Sequence, residues 1–533
     1  MKRRQKFYLL LIIIPAVYLL LLLLLYIAES RAPDSQIHSA GSVLWFLVET
    51  ISTVGYGDTM PVTQTGRVIS AIFIIFSTGI LVTAFGAAFS LFTSEALIMF
   101  RLRLNRHSTW YYFADNGMEA VTMAGNLAEE DPDGIIIFGE KPSMHDQSMS
   151  FPCYYIQTPL TRLVKIKHEK GKPIIVFFMK ENDIDHNPRA NNITELPVTV
   201  YAQTSNGRDQ IAGNVHFFHS YECCARRYWR TKPLGLHEKQ IVIIGFGNYG
   251  RNILERAILT NIIASDQQIT YHIFGKYQTF LQKHDHLSQN FIIVQGSVTG
   301  AAPGFYRSPD KDILIFHDDP WENAHQLLSE ADRIIITPDE EGRARGVYWD
   351  LQRYYHIKGR IDVRSTMQSL DISTFGSYPE IYNPQQIMKY NLDLSAVALN
   401  RLYMKSNPDR AVAWEDLDDF LRQSKIAAAD HLIMKVRIVL QNDQIVHASG
   451  LNLQAAAIRY LKDSEDPAKL EEYRRVEHSR WYRFYSFHNW SYGPQNDPVQ
   501  RTLPMLRPYE ELSPEEAARH DHAWKLLKEL EGN

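Results

Sequence analysis

Residues 7–27 read FYLLLIIIPAVYLLLLLLLYI, a run of 21 apolar positions that is unmatched elsewhere in the chain. A helix of that length rises about 31 Å, enough to cross a hydrocarbon core. Pro15 lies within it as a potential kink. Residues 2–6, KRRQK, precede the run and mark a cytoplasmic end. No small-residue cleavage pattern follows, so the pattern predicts an anchored span rather than a signal peptide. A second apolar segment covers 67–100, with no charge over 68–92, and Arg101, Arg103 and Arg106 close it with a second basic flank. Two spans with basic outer ends predict that the N-terminus and everything after residue 100 are cytoplasmic. Between them, residues 42–52 are apolar except for Glu49, but too few to cross.

From about residue 107 the pattern changes. Apolar runs of four to six residues alternate with helical stretches, which predicts parallel α/β units. The expected strands of a first unit are Trp110–Phe113, 134–138, Ile174–Phe178, 198–202 and Val215–Phe218, with a helix over 116–129. A second unit has strands at Gln240–Ile244, 269–274, 291–294, 312–316, Arg333–Ile336 and 359–364, a helix that begins after Gly250 and runs to about 260, a charged loop over 338–346 and a helix near 347–355. Residues 380–533 lose this rhythm and read as helical, with many aromatics.

Composition narrows the function classes. At 533 residues the chain has room for about three or four domains. Lys plus Arg is 56 and Asp plus Glu is 60, a net charge of 56 − 60 = −4, so nothing points to a nucleic acid polymer as partner. The three cysteines, Cys153, Cys223 and Cys224, form no disulfide framework and read as reduced thiols. His216, His219, Cys223 and Cys224 cluster in sequence but match no zinc spacing.

Thr53-Val54-Gly55-Tyr56-Gly57-Asp58 lies between the two apolar segments. Glycines at alternate positions let successive carbonyls face one axis, and the Thr53 hydroxyl adds an oxygen at the inner end. Four such loops would replace the hydration shell of a potassium ion held by Thr53, Val54, Gly55 and Tyr56. Asp58 would sit at the outer mouth. The hexapeptide resembles the selectivity filter of potassium channels. That resemblance implies a homotetrameric two-span pore domain over residues 1–100 in a lipid bilayer, with K+ as permeant ion. It also implies a gating hinge at Gly79 or Gly86 in the second span. One span precedes the pore, which leaves no place for a voltage sensor.

The first α/β unit has Ala114-Asp115-Asn116-Gly117 after its first strand and lacks the spaced glycines of a phosphate loop. The second has Gly245-Phe246-Gly247-Asn248-Tyr249-Gly250 between a strand and a helix, the pattern that admits a pyrophosphate. The next strand ends in Gly275-Lys276, where a ribose-binding acid would stand, and Lys276 suits a phosphate better. Alternatively, the glycines only shape the fold. A pore followed by two such units resembles channels bearing regulator of potassium conductance (TrkA-N-like) domains. The resemblance implies a gating linker at 101–108, Rossmann-like domains at 109–235 and 236–378, and a ring whose shape responds to ligand.

In the C-terminal region, Glu477, His478, Arg480 and Trp481 share a helical stretch. Arginine and tryptophan side chains together suit phosphates and a purine base, although a helical core with an aromatic stripe looks similar. Trp414, the stretch from Ser424 and Lys425 to Asp430 and His431, the Glu477–Trp481 stretch, and Trp490 with Tyr492 resemble the ryanodine-receptor-type repeat domain. Lys425 and Ile426 depart from its usual asparagine and arginine. The resemblance implies a ligand-sensing domain at 379–533 that responds to a nucleotide-derived signal, including in antiphage systems.

The fold expected is therefore a membrane α-helical tetrameric pore domain, cytoplasmic α/β Rossmann-like domains and a mainly α-helical C-terminal domain, multi-pass in the cell membrane. The function expected is a potassium-selective channel gated by a nucleotide or dinucleotide regulator, and not an enzyme. The rivals are a membrane-tethered NAD(P)-binding enzyme, with His317-Asp318-Asp319 at a site edge, and a non-conducting scaffold.

Overall fold

The computed structural model describes residues 2–92, 95–140, 150–167, 173–205, 211–296, 311–448 and 450–529. It divides into two compact units, Met1–Asn105 and Arg106–Asn533.

The first unit consists of helices Lys2–Glu29, Ala40–Ser52, Gln64–Phe92 and Glu95–Leu104. Ser39 starts the second helix with a reciprocal cap. Its hydroxyl accepts from the Ser42 amide at 3.2 Å, while the Ser42 hydroxyl accepts from the Ser39 amide at 3.1 Å. Leu22, Leu25, Val43, Phe46 and Phe73 form the core where three of these helices meet. The Glu29 carboxylate accepts from the amides of Val62 (3.1 Å) and Thr63 (2.9 Å), tying the end of the first helix to the approach of the third.

Among the described residues, no helix is long and apolar enough to cross a membrane. This corrects the two spans expected at 7–27 and 67–100. In the first helix, side chains are described from residue 16, and the Pro15 side chain lies outside the described residues. The tetrameric membrane pore domain, the bilayer as partner, and the multi-pass cell-membrane location with cytoplasmic ends are overturned with the spans. The homotetramer, expected only as the assembly of that pore, falls with them.

The second unit is built on two sheets. In the first, strands β1 (Trp110–Phe113), β2 (Ile135–Phe138), β3 (Cys153–Tyr155), β4 (Ile174–Phe178), β5 (Thr199–Gln203), β6 (Ile211–Ala212) and β7 (Val215–Phe218) lie in the order 3-2-1-4-5-7-6. All pairs are parallel except β6 with β7. In the second, β8 (Gln240–Ile244), β9 (Thr270–Phe274), β10 (Phe291–Gly296), β11 (Asp312–His317), β12 (Arg333–Ile336), β13 (Arg360–Arg364) and β14 (Thr374–Phe375) are parallel throughout, in the order 10-11-9-8-12-13-14. Both are Rossmann-type sheets. Their central strands are continuous apolar runs, such as IIVFF and QIVII, because helices cover both faces.

The pattern did not reveal β3, β6 or β14, which are only two or three residues long. It also placed a charged loop over 338–346, yet the helix there runs Glu341–Tyr354. Its charged residues face outward while Ala344, Val347 and Leu351 are buried at helical spacing.

The C-terminal region is mostly helical: Leu394–Ser406, Asp419–Asp430, Leu432–Leu440, Gly450–Asp463 and Pro467–Phe487. It is fastened to the sheets by buried ion pairs. Asp430 meets Arg226 at 2.7 Å and Arg230 at 3.0 Å, and Arg483 reaches Asp312 of β11 at 2.7 Å.

Two glycines of the second sheet's units give opposite predictions. A methyl group at Gly250 would overlap the Gly245 carbonyl oxygen, whereas one at Gly346, on the exposed side of Glu341–Tyr354, would meet nothing within 4 Å. Gly250→Ala should destabilise by about 1–3 kcal/mol through overpacking. Gly346→Ala should stabilise by about 0.5–1 kcal/mol by reducing unfolded-chain entropy. Denaturant unfolding of the two variants checks the signs.

Candidate functional site

The filter-like hexapeptide follows directly from helix Ala40–Ser52. Thr53, Gly55 and Gly57 have φ values of +54°, +57° and +77°. Left-handed residues thus alternate with Val54, Tyr56 and Asp58, the backbone pattern that turns successive peptide planes toward one side. The surroundings are specific. Trp45 Nε1 donates to Asp58 Oδ2 at 3.1 Å, and the Trp45 ring stacks on Tyr56 with centroids 6.2 Å apart. The Thr59 hydroxyl donates to the buried Glu49 at 2.8 Å. Gly79 and Gly86 lie within helix Gln64–Phe92, and a methyl at either would meet nothing within 4 Å.

In the second sheet, the chain leaves β8 for β9 on one side and later returns to β12 on the other. The crevice beyond β8 and β12 is therefore the switch point where such sheets bind ligands. Gly245 has φ +96° and lies against Thr337 and Pro338, which follow β12; the Thr337 hydroxyl donates to its carbonyl at 2.6 Å. Gly247 caps helix Asn248–Thr260, and the Asp339 carboxylate lies against it, so that a methyl there would strike it. An internal acid thus stands where a pyrophosphate would approach. Phe246 is buried against Phe280 and Phe316. Tyr249 faces Arg364, whose Nη2 donates to its hydroxyl at 2.6 Å. Lys276 is exposed.

The first sheet repeats this arrangement. Asp115 follows β1, is buried, and accepts from the amides of Met179 (2.6 Å) and Lys180 (3.3 Å) beyond β4. Burial raises its carboxyl to about 6.

The residues singled out in the C-terminal region separate into two groups. Asp430 and His431 are interior fasteners. Asp430 serves the arginines above, and the His431 ring, 2.7 Å from the Ile262 carbonyl through Nε2, donates to it. Trp414 lies beside Arg422, Trp490 stacks on Phe420 at 5.4 Å, and Tyr492 is exposed. Ser424 is half-buried about two turns before His431.

Lys425, Glu477, His478, Arg480 and Trp481 form the second group. Glu477, Arg480 and Lys435 are buried, with Glu477 bonding Arg480 Nη2 at 2.7 Å and Lys435 Nζ at 3.0 Å. These two cations hold its carboxyl well below the usual range despite burial. Arg480 Nη1 is buried with no hydrogen-bond partner. The Lys425 ammonium lies 3.7 Å over the Tyr403 ring and has no carboxylate partner among the described residues. Burial, then the like charge of Arg480, lowers its pKa to about 8.

Arg480 and Lys435 thus share one carboxylate in a desolvated setting and Lys425 near Arg480 has none, a surplus that an anionic ligand would offset. Trp481 packs on Tyr485 at 4.6 Å and both stay half-buried, so rings border the cations. His478 bonds His520 at 3.1 Å, and burial lowers the two to about 4 and 3. Lys435, Tyr403 and His520 were missed in sequence because they come from other segments and join the cluster only by packing, and Tyr485, one turn after Trp481 on the same helix, was missed as well.

Residues 7–94 match a family described as "Ion channel". The chain is 30% identical over 81 residues to the calcium-gated potassium channel TvoK of Thermoplasma volcanium, covering 15% of this chain and 21% of that one. It is 49% identical over 45 residues to a voltage-gated potassium channel of Aeropyrum pernix, covering 8% and 15%. The chain thus spans about a fifth or less of the length of these two relatives. Among solved structures it is similar to the GsuK channel at a TM-score of 0.35 and 14% identity, covering 70% of this chain and 96% of that one. It is also similar to the GsuK channel bound to NAD, at a TM-score of 0.34 and 11% identity, covering 76% and 85%. These relatives are ion-channel proteins and not enzymes.

Because Lys425 must be protonated to attract an anion, nucleotide affinity at this cluster should fall as pH rises through about 8. In Lys425→Met the affinity should be weaker and flat over the same range. The free protein has the opposite slope. A lysine depressed from 10.5 to about 8 costs stability while charged, and that cost is relieved as pH climbs from about 8 to 10.5. Titration calorimetry and thermal melts from pH 7 to 10 check both signs.

Proposed function

We propose that this protein is a potassium-selective ion channel regulated by a nucleotide-type ligand. The observation that carries the reading is the Thr53–Asp58 backbone, left-handed at alternate residues, within the segment that matches the ion-channel family. Carbonyls turned to one side can replace the water around a dehydrated cation of potassium's size. Asp58, fixed by Trp45, places a carboxylate at the end of the row.

The ligand site in this reading is the Lys425, Arg480 and Trp481 cluster, within a sensing region over 379–533. Its cation surplus suits phosphate and its rings suit a base. Nucleotides are also the ligand class of the GsuK structures with ADP and with NAD. The glycine loop serves the fold rather than the ligand, since Asp339 takes the phosphate position. Residues 109–235 and 236–378 would then transmit the signal. Binding regulates flux only if the ligand favours one conducting state over the other.

Gly55→Ala tests the ion path. An alanine at φ +57° carries strain of about 1–3 kcal/mol and should rotate its carbonyl away. Potassium flux through the reconstituted protein should drop at least about tenfold, while nucleotide binding persists. An unchanged potassium-over-sodium ratio in this variant would count against the reading. Trp481→Ala tests the sensor and should abolish the nucleotide's effect on flux and its rise in melting temperature.

A further inference from the structure

A cavity of about 530 Å³ lies between helices Ser220–Thr231, Asn248–Thr260 and Asp419–Asp430 and the end of Pro467–Phe487. Its size falls within the range of small-molecule sites. Five buried polar atoms on its lining residues have no hydrogen-bond partner: Arg251 Nε, Arg256 Nη1, His284 Nε2, Gln386 Oε1 and Tyr390 Oη. Buried polar groups in folded proteins are mostly satisfied, so five gathered on the residues of one cavity mark it as a place for an occupant.

The polarity of these atoms defines the occupant. Arg251 and Arg256 offer guanidinium N–H groups, which suit anionic oxygens. Arg256 is buried, and its Nη1 lies 3.6 Å from Asp430 without a hydrogen bond. His284, also buried, has Nδ1 2.7 Å from the Phe487 carbonyl oxygen. A carbonyl only accepts, so Nδ1 donates to it. The Glu255 carboxylate faces Nε2 at 3.8 Å. That carboxylate and Gln386 Oε1 are acceptors, and they call for a ligand that brings N–H or O–H donors.

Phe484 and Phe487 supply buried rings on one wall. Tyr390 is held at φ +47°, a costly conformation for a tyrosine, and its hydroxyl is among the unpartnered atoms. The charged lining comprises Arg226, Arg251, Arg256, Lys283 and Arg501 on one side, and Glu222, Glu255, Asp393 and Asp419 on the other. Five cations against four acids leave room for about one negative charge.

We propose that this cavity is a second ligand site, separate from the Lys425 cluster, for a nucleotide-class molecule of about one net negative charge. Its phosphate oxygens take the Arg251 and Arg256 donors, and its base amine or sugar hydroxyls take Glu255 and Gln386. A ligand there contacts helices of both sheet units and of the C-terminal region at once.

The test uses the full chain and titration calorimetry with AMP, cyclic AMP and NAD as probes. The Lys425→Ala variant removes the other site, and saturable binding of at least one probe should remain. Adding Tyr390→Phe or Arg251→Gln, which break no bond made in the free protein, should weaken the remaining site about tenfold or more. Their unliganded melting temperatures should match the parent. The proposal is overturned if no probe binds the Lys425→Ala protein, as for a cavity holding only water. Remaining binding indifferent to both added substitutions overturns it as well. If Lys425→Ala changes nothing while Arg251→Gln removes all binding, this site stands and the Lys425 assignment fails.

Discussion

One buried carboxylate holds the larger unit together. Asp430 ends helix Asp419–Asp430 and receives Arg226 and Arg230 from Ser220–Thr231, with Arg256 from Asn248–Thr260 beside it. It therefore joins the last helix of the first sheet unit, the glycine-loop helix of the second, and the C-terminal helices at a single point. Arg226 also reaches Asp393 at 2.6 Å, and Arg256 reaches Glu222. A network so desolvated is neutral only as a whole, and removing one member of such a pair typically costs about 3–5 kcal/mol. The 530 Å³ cavity lies along its edge because charged groups that satisfy one another cannot also fill the space as closely as apolar side chains do.

The two sheets share one arrangement at their switch points. Each switch point has an internal acid, Asp115 after β1 and Asp339 after β12. Asp115 takes the amides beyond β4, so the positive ends of the backbone dipoles are met from within. The glycines at 245 and 250 keep their geometric purpose, since strand, turn and helix cannot approach so closely with side chains there.

The Thr53–Asp58 segment works by another principle. Its shape follows from local backbone preferences, with two glycines taking positive φ at little cost and Thr53 ending a helix in the same region. Trp45, Tyr56, Asp58, Glu49 and Thr59 brace it through contacts of at most 13 residues' separation. Such a site is readable from sequence because every part of it is close in the chain.

The sequence by itself determined the elements whose cause is local. Apolar runs placed β1, β4, β7, β8 and β12 to the residue, whereas the helix expected after Gly250 starts within the glycine motif, at Asn248. Strands as short as β3 or β14 carry too little pattern to be read. Tertiary structure alone decided which charges face one another. Nothing near Asp339 or Asp430 in the chain reveals that one fills a phosphate position and the other gathers arginines from about 170 to 200 residues away. Apolar character was legible at 7–27, but among the described residues no helix is long and apolar enough to cross a membrane. Burial and charge balance are sums over neighbours distant in sequence, so only the folded chain could evaluate them.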